Sequence, residues 1–172
     1  MVELTMDKAY KDDIASADRK KDELKKALRE ITEKAAKRRP AELVRRIHEI
    51  HNEVFAEIDC LNCANCCKVI GPKLVEPDIV RLAKMEHLTR DAWANNRVRV
   101  GENNDKTINE LPCPYLGDDH YCAVYDSRPR SCREYPHTAN KDIHHRLHRL
   151  VVDSLYCPAA YRIAVKIVEE FH

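Results

Sequence analysis

Four thiols fall within the eight residues "CLNCANCC", from Cys60 to Cys67, in a chain of 172 residues that holds eight cysteines in all. The others are Cys113, Cys122, Cys132 and Cys157. A thiolate is a soft, anionic ligand, and four of them satisfy a tetrahedral zinc ion or the corners of a cubane iron-sulfur cluster. Cys60, Cys63 and Cys66 repeat a two-residue gap twice, which lets the chain turn so that successive sulfurs face one centre. That spacing matches the first three ligands of the bacterial ferredoxin run, whose remaining cysteine is followed by proline. Cys113-Pro114 and Cys157-Pro158 both offer such a remote ligand. The spacing therefore predicts that Cys60, Cys63 and Cys66 share a centre with at least one of Cys113, Cys132 and Cys157. Cys67 departs from the pattern, because adjacent residues diverge in direction. It points to a second metal, a multinuclear cluster, or a thiol held in reserve with its pKa lowered by Lys68. All eight cysteines are candidate ligands, and the cofactor is an iron-sulfur cluster such as [4Fe-4S], or zinc. Ordinary buried thiols would explain burial but not the doubled spacing.

Thiolates bring several negative charges into one small volume, and Arg128, Arg133 and Lys68 are the nearest cations in sequence to offset them. Tyr115, Tyr121, Tyr125 and Tyr135 stand beside cysteines and are expected to pack around the site. "YDSRP" reads as a turn that starts a short helix and aims Cys132 inward. His144, His145 and His148 could meet one metal if helical, but Ile143, Leu147, Leu150 and Val151 mark the buried side, which leaves the histidines on a solvated face. His137, just after "EYP", is a candidate ligand or a group supporting one.

The stretches "CLNCANCC", "LPCPYL", "HYCAVYDSRPRSCREYP" and "LYCP" occur in that order and resemble the YkgJ-type CxxCxxCC cysteine-cluster family, a zinc- or iron-chelating domain. The resemblance runs over about residues 58 to 160 and implies a metal-chelating function. Some relatives in that family are longer flagellin lysine N-methylases. The residues themselves show no autonomous catalytic constellation. With three glycines there is no phosphate-cradling loop, and no nucleophile-base pairing beyond cysteine is recognisable.

The elements that must position these groups are mainly helical. Tyr10, Ile14, Ala17, Leu24, Leu28, Ile31 and Ala35 recur at steps of three and four, which predicts one long amphipathic helix with Lys21 interrupting its stripe. A second helix starts near Pro40 and aligns Leu43, Ile47, Ile50, Val54 and Ile58. Together they predict an N-terminal hairpin over 1–57, with a cysteine-cluster domain over 58–172. In that domain "LVEPDIVRLAKMEHLTRDAW" predicts two short helices, and "CPAAYRIAVKIVEEF" a closing one. Between them, Asn, Gly, Asp and Pro leave room only for turns and brief strands such as Arg97 to Val100. Backbone this irregular needs something other than ladders of hydrogen bonds to hold it.

A formal net charge of +1, with 34% charged residues of mixed sign, exerts no general pull on nucleic acid or anionic membrane. No window approaches ~20 uninterrupted apolar residues. A cytoplasmic setting is expected, in which thiols stay reduced and serve metal or redox roles. A protein partner bound through the helical surfaces is expected, and membrane and nucleic acid are not. Two function classes follow: a redox or electron-transfer module assisting a partner enzyme, and a structural zinc domain that mediates protein-protein interaction.

Overall fold

Apolar residues repeated at three- and four-residue steps need a second apolar face, and the helices that carry them find it in one another. The computed structural model describes residues 6–172, without the side chains of 35–37. Its helices in chain order are α1 (Lys8–Arg19), α2 (Lys21–Arg38), α3 (Pro40–Glu57), α4 (Asn65–Val69), α5 (Glu76–Met85), α6 (Arg90–Arg97), α7 (Arg130–Glu134), α8 (Leu147–Ser154) and α9 (Pro158–Phe171). Strands β1 (Val98–Val100) and β2 (Lys106–Ile108) pair antiparallel, Val98 opposite Ile108. The protein is mainly α-helical, as its periodicity predicts.

The chain divides into two compact units: Ala64–Tyr135, and residues 6–63 with 136–172. This differs from the expected boundaries at 1–57 and 58–172. The reason is that α1, α2 and α3 do not satisfy their apolar stripes as a hairpin. All three pack on α9, whose Ala160, Ile163, Ala164 and Ile167 are fully buried, and α8 completes the group against α2 and α9. The expected single helix also breaks. Lys20 leaves helical geometry between α1 and α2, one residue before the Lys21 that interrupts the stripe. No apolar side chain is present there to hold the turn to the core. Ala35, the last position of that stripe, lies outside the described side chains.

Within this helical unit Leu28, Leu43, Ile47, Ile50, Leu147 and Leu150 form the centre of the core. Polar contacts then fix its edges. Arg162 Nε donates to Asp13 at 2.7 Å, and Arg46 reaches Glu53 and Glu170, each at 2.8 Å. Two histidines of α3 hold the segment that leads into α8. His48 Nε2 lies 3.2 Å from the Asn140 carbonyl, and His51 Nδ1 lies 2.7 Å from Thr138 Oγ1.

The Ala64–Tyr135 unit has a smaller core of Leu74, Ile79, Leu82, Trp93, Ile108 and Val124. Pro77 sits in the first turn of α5, and the Thr89 hydroxyl accepts from Ala92 N at 3.2 Å to cap α6. Trp93 is wholly buried, so its indole N–H needs an acceptor, and it donates to Glu86 Oε1 at 3.0 Å and to the Tyr115 hydroxyl at 3.2 Å. Tyr115 in turn donates to the same Glu86 oxygen.

Truncating one central side chain tests where the core lies. Ile47→Ala should destabilise the helical unit by about 2–5 kcal/mol, since it removes a fully buried branched side chain and leaves a cavity. Denaturant unfolding followed by circular dichroism measures this, and a loss below about 1 kcal/mol would place the core elsewhere.

Candidate metal centre

The cysteine run does not fold as one helix. Asp59 Oδ1 accepts from Leu61 N at 2.9 Å and caps a single tight turn over Cys60–Asn62, which closes with Cys63 N donating to Cys60 O at 3.1 Å. Ala64 then adopts φ +50°, a left-handed conformation that costs a residue with a Cβ about 1 kcal/mol. After it α4 begins, carrying Cys66 and Cys67. Left-handed Ala64 thus lies in the chain between the turn that carries the first two thiols and the helix that carries the vicinal pair. Cys60 and Cys63 belong to the helical unit and Cys66 and Cys67 to the other.

In the Ala64–Tyr135 unit, backbone hydrogen bonds bring three remote cysteines toward Cys67. Cys113 N donates to Cys67 O at 2.8 Å. A tight reversal follows, with Leu116 bridged to Cys122, Gly117 N donating to Tyr121 O at 2.8 Å, and Ala123 N donating to Tyr115 O at 2.8 Å. A Cβ at Gly117 would stand 2.6 Å from Asp119 Oδ1 and 3.3 Å from Tyr121 O, so a larger residue at the reversal would have to displace the Asp119 side chain. Beyond Cys122 the chain makes a second tight turn over Tyr125–Ser127, and Pro129 then caps α7, which presents Cys132. Cys113, Cys122 and Cys132 each lie near enough to Cys67 to feel its charge.

Burial and mutual repulsion oppose ionisation of most of these thiols. Burial pushes Cys113 up to about 11 and Cys132 up to about 12, and Cys122 is raised for the same reason. Cys67 is the exception, lowered to about 7 by a hydrogen bond from the Cys66 side chain and then by the Arg128 charge. Lys68, the cation expected from sequence to do this, is engaged elsewhere, its Nζ lying 2.7 Å from Nε2 of the buried His120.

Arg128 is the group best placed to offset the thiolates. Its guanidinium lies 3.4 Å from the centre of the Tyr125 ring, and its charge favours the anionic forms of both Cys67 and Cys122. Its Nε is buried and has no hydrogen-bond partner among the described residues. A buried guanidinium N–H with no acceptor costs free energy, and anionic sulfur held beside it would remove that cost. Arg133, the other expected cation, turns its Nη1 to the Arg128 carbonyl at 2.5 Å.

A carboxylate that the spacing of cysteines gave no reason to single out holds this arrangement. Asp78, 1% exposed on α5, accepts from Val75 N at 3.2 Å, Arg81 Nη2 at 2.6 Å and Arg130 N at 3.2 Å. Arg81 also donates to the carbonyls of Ser127 and Arg128, at 3.1 and 2.9 Å. The signal in the sequence was an Asp followed by Arg three residues on, beside apolar Ile79 and Leu82 on a short helix. Ser131 Oγ adds a bond to the Lys73 carbonyl at 2.7 Å.

The helical unit gathers three other cysteines. Cys63 is buried in its core, Cys157 packs against the same core, and Cys157 lies within electrostatic reach of both Cys60 and Cys63. His144 and His145 lie on a tight turn with their rings tilted and centres 3.9 Å apart, and His148 is exposed on α8, as expected of a solvated face, while His137, at φ +67°, belongs to the helical unit. All eight cysteines are thiols rather than disulfides. Among the described residues no three His, Cys, Asp or Glu side chains are already closed around a point that could hold an ion. The thiols share neighbourhoods, and a metal would have to draw them in.

A family model described as "Putative zinc- or iron-chelating domain" matches residues 59–157, more than half of the chain. The chain belongs to the CxxCxxCC family. The matched segment begins one residue before Cys60 and ends on Cys157, so it holds every cysteine described above. For a CxxCxxCC protein the donor set fits the chelating function: eight reduced thiols, with a buried arginine beside one group of them. No curated protein matches the chain, and no solved structure does. Among the described residues no helix is long and apolar enough to cross a membrane.

Two substitutions test the loop support and the vicinal pair. Asp78→Ala leaves Arg81 without its partner and should destabilise the Ala64–Tyr135 unit by on the order of 3 kcal/mol, with faster hydrogen exchange over 127–132. Unchanged exchange there would remove Asp78 from the role given to it. Separately, Cys67→Ser should lower the metal bound per chain, whereas Cys66→Ser leaves Cys67, Cys113, Cys122 and Cys132 complete and should retain it. Equal loss in both variants, read by mass spectrometry of the intact protein, would refute the distinction.

Proposed function

We propose that this CxxCxxCC protein holds an iron-sulfur cluster on Cys67, Cys113, Cys122 and Cys132 and serves as an electron-transfer or accessory module for a partner protein in the cytoplasm. The observation that carries this reading is the buried, unpartnered Arg128 Nε beside a group of thiols drawn from separate segments of one unit. Four thiolates bring four negative charges, and a cluster bound to them supplies one-electron chemistry. The chain's own residues do the rest. Arg128 offsets charge, Asp78 and Arg81 hold its loop, and Cys113 and Cys132 are half-buried, which restricts water at the site. Tyr121 and Tyr125 stack with ring centres 5.4 Å apart and are both exposed, so the shell around the site reaches the surface through aromatic groups. Val80 and Met85, exposed apolar residues on α5 of the same unit, suit a protein partner.

A second reading, a structural zinc domain, is favoured by a different observation. Between β2 and α7 the chain runs through turns and a single isolated bridge, so that cross-linking through metal would replace regular hydrogen-bond ladders. The two readings part on colour and on redox response. Protein purified without oxygen should carry iron and sulfide in comparable amounts, with a visible absorption band that bleaches on addition of dithionite. Colourless protein containing zinc alone, in which removing the zinc disorders 104–137 by hydrogen exchange, would replace the electron-transfer reading with the structural one.

A further inference from the structure

Two imidazoles of α3 fasten the chain just after it enters the helical unit at Pro136, and they do so by bonds of opposite kinds. His48 Nε2 lies 3.2 Å from the Asn140 carbonyl, which can only accept, so this nitrogen carries a proton and donates it. His51 Nδ1 lies 2.7 Å from Thr138 Oγ1. Thr138 is 0% exposed, and that imidazole is the one partner of its hydroxyl among the described residues. A buried hydroxyl is costly unless its proton finds an acceptor, so Thr138 donates and the neutral Nδ1 accepts. Other hydrogen bonds of this stretch are internal to it: Asn140 N donates to the His137 carbonyl and Ile143 N to the Asn140 carbonyl, each at 3.2 Å.

We propose that His51 and Thr138 form a pH-sensitive clasp, closed while the imidazole is neutral and opened when a proton reaches its Nδ1, which frees residues 137–143 from α3. A protonated Nδ1 is a donor and has no lone pair to offer. The Thr138 hydroxyl must then turn to accept, and its own proton is stranded where water does not reach. The His48 bond survives the same change, because a second proton adds at Nδ1 while Nε2 goes on donating. What that proton brings is like charge one turn before His51. Among the described residues no carboxylate pairs with either imidazole. On α3 itself Glu49 and Glu53 are engaged by Arg45 and Arg46. Of the elements packed on α3, α9 directs Lys166 and Glu170 to Glu53 and Arg46, and Glu30 and Glu33 of α2 are taken by Lys34 and Arg29. On the clasped segment and the turn that ends it, Asp142 reaches Arg146, and Lys141, His144 and His145 can add only positive charge. Burial, and then the charge of His48, accordingly hold the His51 pKa below its ordinary value. The clasp is therefore at full strength above about pH 6.5, the ordinary histidine value, and weakens as pH falls through the lowered one. It needs no metal and no cysteine, so it stands or falls apart from the proposed function.

The test is hydrogen exchange of the full chain, read by mass spectrometry at about pH 7.5 and about pH 5 and corrected for the intrinsic exchange rate. Peptides over 137–143 should lose about tenfold in protection at the lower pH, the equivalent of one pKa unit, and regain it on return to neutral. His51→Asn sets an acceptor oxygen where Nδ1 stood and takes up no proton in this range. It should keep the neutral protection and lose most of the response to pH, whereas His48→Gln, which retains a donor, should still respond. Equal protection at both pH values in the unaltered chain, or an undiminished response in His51→Asn, would overturn the clasp. Should circular dichroism show His51→Asn poorly folded at neutral pH, nitrogen-15 NMR of the unaltered chain with labelled histidine decides instead. His51 protonated on Nε2 at neutral pH, with the amides of 137–143 shifting as it titrates, upholds the clasp. A proton on Nδ1 at neutral pH, or titration that leaves those amides in place, rules it out.

Discussion

The arrangement around Cys67 hangs on one buried carboxylate. Asp78 has almost no contact with solvent, and it meets three donors from two stretches of chain: Val75 N, the Arg81 guanidinium and Arg130 N. A carboxylate in that position is tolerable only because its partners are charged or well aligned, and breaking such a pair is far more costly than never having made it. Through Arg81 the same carboxylate also governs the carbonyls of Ser127 and Arg128. The loop that bears Arg128 and leads into Cys132 is therefore positioned by α5, which carries no cysteine. The candidate ligands and the residues that hold their loop are different residues.

Charge sets the second constraint. Thiols in a small volume resist ionisation, and burial raises Cys113, Cys122 and Cys132 together. Only Cys67 escapes, because Cys66 and Arg128 both favour its anion. Metal uptake would then have a natural starting point. The first thiolate available is Cys67, and each further proton must be displaced by the incoming cation. The buried Arg128 Nε belongs to the same balance, since its unmet hydrogen bond becomes a gain once negative charge is gathered beside it.

The helical unit solves a different problem. Its helices have strong amphipathic faces but no cofactor chemistry of their own, and packing alone explains their order. Its thiols sit at two joints, the turn after α3 and the junction of α8 with α9.

Sequence periodicity and spacing by themselves determined the helical class, most element positions and the candidate ligand type. It could do so because an apolar stripe depends only on spacing along one chain, and a doubled two-residue gap is itself a chemical signal. Pro77, Thr89 and Pro158 marked helix starts for the same local reason. The grouping of the thiols was another matter. Spacing placed Cys60, Cys63 and Cys66 together, and the division of the chain into two units falls between Cys63 and Ala64. One left-handed residue, Ala64, stands at that division, and nothing in an alanine announces a positive φ. Nor could sequence reveal that α1 to α3 pack on α9, or that Asp78 rather than a cysteine holds the Arg128 loop. Those facts depend on which surfaces meet after the chain has folded back on itself, across separations at which spacing carries no information.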